Sequence, residues 1–225
     1  MDIKLVKLKV NQARLNKSDP FSLPELEEAL FNLNEGRARD PEGLCAELFK
    51  DKVIGQSLKE SLLIMMNTIK EEGEVPSYMN VTTVTTIPKV GSKFKLTNER
   101  GIFKVSILRT ILLRLIYNRT YNMVDANMSD SNIGARRGKS CRNHIWILNG
   151  INHEHHTSKK KQDLRISFYD FKQMFDSMVL SETLSDMHSV GMVDDSLHLI
   201  EALNKTLQCQ LIHHMGKQKL LCCLQ

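Results

Sequence analysis

Apolar residues recur every three or four positions in several parts of the chain, and this spacing predicts amphipathic helices. The first helix is expected to begin at a capping box, Ser22-Leu23-Pro24-Glu25, which places a proline in the first turn, and to end at Gly36. Its apolar face would consist of Leu23, Leu26, Leu30 and Leu33.

The same spacing predicts further helices along the chain. They lie at residues 44–50, from residue 58 to Gly73, after Gly101, after Ser140, at residues 181–189 and at residues 196–206. In the helix after Gly101, the apolar face predicts that Arg109, Arg114 and Arg119 lie on its other faces. Trp146 is expected to anchor the helix after Ser140 in the core.

Alternating patterns predict strands. The β-branched segment Val81–Ile87 is expected to form a strand, and Pro88 and Gly91 then turn the chain, so a strand pair is expected around residue 90. Residues 164–169 alternate between apolar and polar, which predicts a half-buried strand with Asp170 at its carboxyl end. A weaker alternation around Met215-Gly216 predicts a hairpin. Because helices and strands do not alternate regularly, the predicted class is α+β.

Composition is that of a folded globular protein, with 41% hydrophobic and 25% charged residues. No apolar run approaches the roughly 20 residues of a membrane span, and no secretory signal is recognised, so we expect an intracellular protein of the nucleus or cytoplasm, without a membrane partner. The five cysteines show no C-x-x-C spacing. The net charge of +5 is compatible with a polyanionic partner.

Four segments carry recognisable motifs. They are Asn34–Lys50 (NEGRARDPEGLCAELFK), Thr86–Phe103 (TIPKVGSKFKLTNERGIF), Ser131–Leu148 (SNIGARRGKSCRNHIWIL) and Leu164–Met178 (LRISFYDFKQMFDSM). In this order they resemble the reverse transcriptases of non-LTR (LINE-type) retrotransposons. Met174 and Gly101 depart from the pattern, which has alanine and proline at these positions.

The resemblance implies a right-hand polymerase fold, with helical fingers carrying a short β-hairpin and an incomplete palm sheet. Residues 1–20 would be a linker-like segment, residues 21–157 the fingers, and residues 158–225 the part of the palm with the first catalytic acid. The implied activity is that of an RNA-directed DNA polymerase, a nucleotidyltransferase that adds deoxynucleotides to a DNA primer on an RNA template. The implied cofactor is Mg²⁺, because two divalent ions assist this transfer.

Site residues follow from the same motifs. Asp170 would be the catalytic acid and metal ligand. The nucleotide would be bound by Lys89, Arg100, Phe171 and Phe175. The template would lie along Gly134, Arg136 and Ser140. Asp176 is expected to be structural.

The family's glutamine-glycine motif and paired aspartates are not found in these residues. Asp194-Asp195 precedes a helical pattern, so an N-cap or first-turn role is favoured for this pair. The chain is therefore expected to be inactive by itself, as a truncated polymerase lacking a C-terminal palm or thumb partner. The alternatives are a non-catalytic nucleic-acid-binding remnant and a decayed element without a selected function. The cluster His153–His156 is interpreted as a polar helix end, and Ser158–Lys161 as a solvated loop.

Overall fold

Six α-helices and four β-strands are found in the part of the chain that a computed structural model describes: residues 18–50, 53–88, 99–158, 163–171, 174, 177–205, 207–213 and 216–218. The helices are α1 (Leu23–Phe31), α2 (Gln56–Glu72), α3 (Ile107–Asn127), α4 (Cys141–Thr157), α5 (Leu180–Ser189) and α6 (Asp194–Lys205). The strands are β1 (Val81–Pro88), β2 (Glu99–Val105), β3 (Gln208–His213) and β4 (Gly216–Gln218). Short 3₁₀ helices occupy Ala46–Phe49 and Ser77–Asn80.

The strands form one sheet in the order β2-β1-β3-β4. Strand β1 is antiparallel to β2, with Thr82 opposite Val105, and parallel to β3, with Thr82 opposite Cys209. Strands β3 and β4 are antiparallel. The α+β class and the strand pair around residue 90 are thus confirmed. The antiparallel pairing of β3 with β4 agrees with the predicted hairpin, whose Met215 lies outside the described residues.

The hydrophobic core lies where α1, α2, α3 and α6 meet. Leu26, Met66, Leu115 and Leu199 are among its fully buried side chains, one from each helix. The core therefore includes residues from both sides of the expected boundary between residues 157 and 158. The division into linker, fingers and palm stays a prediction.

Helix ends follow local chemistry, with one correction. The predicted capping box at Ser22 is present, and Gly73 ends α2 in the left-handed region at φ +70°. Gly36 does not end α1, because the helix stops at Phe31, where the Asn32 amide donates to the Glu28 carbonyl and the Leu33 amide to the Leu30 carbonyl. Gly36 lies in the following loop.

Arg109, which was expected on a face of α3 other than the apolar one, is buried. Only 5% of the residue is exposed. Its Nη1 donates to Asn80 Oδ1 at 2.6 Å and to the Leu203 carbonyl at 2.7 Å. Burial lowers the pKa of this guanidinium. Arg109 thereby links α3 to the start of β1 and to the carboxyl end of α6.

Helix α4 forms as predicted but contains no buried residue. Trp146 is 82% exposed, so its predicted role as a core anchor is wrong. The spacing of Ile145, Ile147 and Ile151 favoured a helix, but no other described element covers their side chains, which are all exposed.

The strand predicted for residues 164–170 is also wrong. Residues 163–171 have no regular secondary structure, and Ile166, Phe168 and Tyr169 are exposed. A strand persists only when its backbone groups are paired. Both edges of β1 are occupied by β2 and β3, and segment 163–171 pairs with no strand in the described part of the sheet.

Candidate nucleic-acid interface

The loop between α3 and α4, residues 128–140, is fixed by Arg136. Its Nε and Nη2 donate to the two carboxylate oxygens of Asp125, at 2.8 and 3.2 Å. Its Nη1 also donates to the carbonyls of Ser129 and Asn132. These hydrogen bonds from Arg136 lower the pKa of the Asp125 carboxyl. Arg136 therefore organises the loop from within.

Gly134 and Ser140, the other two residues expected at the template, also have local structural contacts. The Gly134 amide donates to Asn132 Oδ1 at 3.1 Å, which closes a tight turn. Ser140 caps α4 as predicted, and its amide donates to Asn143 Oδ1 at 2.8 Å. All three expected template residues thus belong to one loop, whose shape they maintain.

Arg137, the neighbour of Arg136, is exposed and stacks on two tyrosines of α3. Its guanidinium carbon is 4.3 Å from the ring centre of Tyr121 and 5.2 Å from that of Tyr117. The Arg137 amide donates to Tyr121 Oη at 2.7 Å, and its Nη2 donates to Asn118 Oδ1 at 2.8 Å. The guanidinium is thus held in place without a carboxylate among the described residues.

A shallow groove lies beside this stack, between the end of β2 and α3. We call it the β2–α3 groove. It has a volume of about 490 Å³ and is lined by Val105, Thr110, Leu113, Arg114 and Tyr117. Tyr117 is 40% exposed and belongs both to the groove and to the Arg137 stack. Arg114 forms no ion pair in the part of the chain that the structure describes. The groove is therefore apolar, with an aromatic wall and cations beside it.

The expected catalytic residues are not brought to this groove by any described contact. Asp170 and Phe171 lie in segment 163–171 and are exposed. Lys89 and Phe175 lie outside the described residues, as does Asp176. The backbone of Arg100 is in β2, opposite Ile87. No cluster of three or more His, Cys, Asp or Glu side chains suited to a metal ion occurs among the described residues.

Asp194 and Asp195 occupy the first turn of α6, which confirms the structural role predicted for this pair. Asp195 accepts hydrogen bonds from the amide and hydroxyl of Ser18 at 2.9 and 2.8 Å, and Lys70 Nζ is 3.3 Å from it. Burial alone would raise the pKa of Asp195, but these partners outweigh it and the pKa is lowered.

A second ion pair joins α1 to α3. Arg119 donates from Nε and Nη2 to the two carboxylate oxygens of Glu25, at 2.6 and 2.8 Å. Arg119 also donates to the carbonyls of Asp19 and Pro20 and lies over the ring of Phe21. Together with Asp195, this pair fixes the chain that leads into α1.

Sequence reasoning assigned no role to Asp40, which lies in the first motif. This buried carboxylate accepts from the amides of Glu42 and Leu44, at 3.0 and 2.7 Å, and from the Ile107 amide at 3.0 Å. It therefore shapes its own loop and caps the amino end of α3. The Asp-Pro-Glu-Gly sequence signals the turn, whereas the contact with α3 has no local signal.

No protein-family model matches the chain, and the search of curated proteins gives no match. Within the described part, every helix is too short or too polar to cross a membrane.

Proposed function

We propose that the chain is the fingers and first part of the palm of a non-LTR retrotransposon reverse transcriptase, and that it binds nucleic acid through the α3–α4 loop and the β2–α3 groove. The ordered motifs support the family. The observation that carries nucleic-acid binding is the exposed Arg137, stacked on two tyrosines beside a groove flanked by Arg114. Arginine side chains contact phosphates, and aromatic side chains contact unstacked bases.

In the family's reaction, Asp170 would hold Mg²⁺ for the addition of deoxynucleotides to a primer, with Lys89 and Arg100 near the triphosphate. The right-hand fold with helical fingers belongs to the same proposal. The β1–β2 pair supports it, because the two strands flank the segment that contains Lys89.

A second candidate function is nucleic-acid binding without catalysis. The exposure of Asp170 in a segment without regular secondary structure favours it. Metal-assisted transfer requires carboxylates held in a precise geometry, which such a segment does not provide by itself.

Binding is tested by fluorescence anisotropy with a labelled single-stranded RNA and with a DNA primer annealed to an RNA template. We expect affinity to fall at least about tenfold between about 50 and 200 mM salt, because bound counterions are released from the phosphates. No binding at about 50 mM salt, or an affinity independent of salt, would contradict both candidates.

Catalysis is tested by primer extension on an RNA template with Mg²⁺, comparing the wild type with Asp170→Ala. We expect binding without extension for the chain alone. Extension by the wild type that is lost in Asp170→Ala would instead establish catalysis and exclude the second candidate. Extension that persists in Asp170→Ala would exclude Asp170 as the catalytic acid.

A further inference from the structure

We infer that the β2–α3 groove takes an unpaired nucleobase of a single-stranded nucleic acid, stacked on Tyr117, with Arg114 and Arg137 contacting the flanking phosphates. The inference rests on the proposed nucleic-acid binding and specifies its ligand as a single strand. Neither the groove nor these three residues was predicted from the sequence as a site.

The walls of the groove match a flat, apolar ligand. Val105 and Leu113 contribute aliphatic surface, and Tyr117 contributes an accessible aromatic ring. Phe103 lies two positions from Val105 on the same side of β2 and is also exposed; its ring lies against Gly101, so it offers a second aromatic surface farther along the strand. In a duplex the faces of the bases are covered by their neighbours, so only an unstacked base can lie against such rings.

The charges near the groove match an anionic backbone. Arg114 lines the groove, and Arg137 contacts the ring of Tyr117. Neither forms an ion pair with a carboxylate in the described part of the chain, and none of the described residues that line the groove is acidic. Both guanidinium groups can therefore pair with phosphates without first breaking a salt bridge.

Arg137 is also preorganised. Stacking on Tyr121 and the hydrogen bond to Asn118 hold its guanidinium before any ligand arrives. A side chain that is already ordered loses less conformational entropy when it binds, which favours a phosphate contact at this position. An apolar peptide would fill the groove without using these cations, so the charges favour a nucleic acid.

The test measures the affinity of full-length protein for a labelled oligouridine and for a blunt RNA duplex of equal length, at about 50 mM salt. We expect Tyr117→Leu to weaken single-strand binding about tenfold without changing the salt dependence, and Tyr117→Phe to restore the affinity. Arg114→Gln should weaken binding and reduce the slope of log affinity against log salt by about 0.7. Lys205→Gln is the charge-matched control on α6, and it should leave the affinity within about twofold.

A second measurement needs no variant. Photo-cross-linking of wild-type protein to an oligonucleotide containing 5-iodouridine, followed by mass spectrometry, should give an adduct at Tyr117 or Phe103. Adducts only at other residues would overturn the inference. Equal affinity for the single strand and the duplex would also overturn it.

The outcomes separate this inference from the proposed function. If the wild type binds the single strand and the Tyr117 and Arg114 variants behave like Lys205→Gln, the groove is not the site but nucleic-acid binding stands. If the wild type binds neither oligonucleotide, both this inference and the proposed function are wrong. Circular dichroism identifies any variant that fails to fold. In that case the cross-linking result with the wild-type protein decides whether the groove is the site.

Discussion

The ion pair between Glu25 and Arg119 offers a quantitative test of how α1 is held against α3. In Glu25→Gln the side chain keeps its shape and can still accept the hydrogen bond from the Ser22 amide, as glutamine does in a capping box. The charge opposite Arg119 is lost. Among the described residues, the half-buried guanidinium would then keep the carbonyls of Asp19 and Pro20, the Ser18 hydroxyl, the Phe21 ring and a neutral amide as partners, but no paired carboxylate.

The expected loss follows from the pKa of Glu25. The hydrogen bond from Arg119 lowers this pKa, burial raises it, and the hydrogen bond from the Ser22 amide lowers it further. Together they bring the pKa from 4.5 to about 2. At 1.36 kcal/mol per unit, this difference sets an upper limit of about 3.4 kcal/mol. The side chains are 31% and 21% exposed, so solvent screening reduces the expected contribution to about 1–2 kcal/mol.

The pH dependence has a defined sign. Because the pKa of Glu25 is lower in the folded than in the unfolded chain, its stabilisation is complete above pH 4.5 and decreases as the pH falls toward about 2. The difference in free energy of unfolding between wild type and Glu25→Gln should therefore shrink over this range.

The assay is urea unfolding followed by far-ultraviolet circular dichroism at pH 7 and at intervals down to the acid limit of the fold. Glu28→Gln is the matched control, because Glu28 is exposed on the same helix, and it should change stability by less than about 0.5 kcal/mol. The reasoning would be refuted if the two variants lost equal free energy of unfolding. It would also be refuted if the difference in free energy of unfolding between wild type and Glu25→Gln did not change with pH.

Three further predictions concern stability. Asp195→Asn should lower the free energy of unfolding in urea by roughly 3 kcal/mol, because it leaves the buried Lys70 ammonium without its carboxylate. A decrease no larger than that of Asp194→Asn would contradict this. Trp146→Ala should cost less than about 0.5 kcal/mol, since the indole is 82% exposed, and a loss typical of a core residue would be evidence for burial. Gly138→Ala should lower the free energy of unfolding by about 1 kcal/mol, because Gly138 adopts φ +72°. Gly134 lies in the same loop without a positive φ, so Gly134→Ala should leave stability nearly unchanged. Equal effects of the two glycine substitutions on the thermal midpoint would argue against backbone strain.

For the candidate site, the motif in residues 131–148 pointed to the α3–α4 loop, but the contacts of the two arginines in that loop could not be predicted from it. Arg136 was expected at the template, yet it is paired with Asp125 inside the loop. Its neighbour Arg137 is the exposed, stacked cation. Adjacent arginines look alike in a sequence, and only the position of Asp125 and the two tyrosines on α3 distinguishes them.

The residues of a single segment were enough to predict several elements. The capping box at Ser22, the end of α2 at Gly73 and the β-branched run at Val81–Ile87 depend on backbone preferences and on hydrogen bonds between near neighbours. These interactions are present in the segment itself, so its sequence determines them.

Tertiary structure decided which side chains are buried and which strands are paired. Arg109 is buried because Leu203, 94 positions away, offers it a carbonyl, and Asp195 is held by Ser18 across 177 positions. The periodic patterns of α4 and of residues 164–170 lack such partners in the described part of the chain, so these apolar residues are exposed. A periodic apolar pattern indicates which side chains favour burial. Burial itself requires that another part of the fold packs against them.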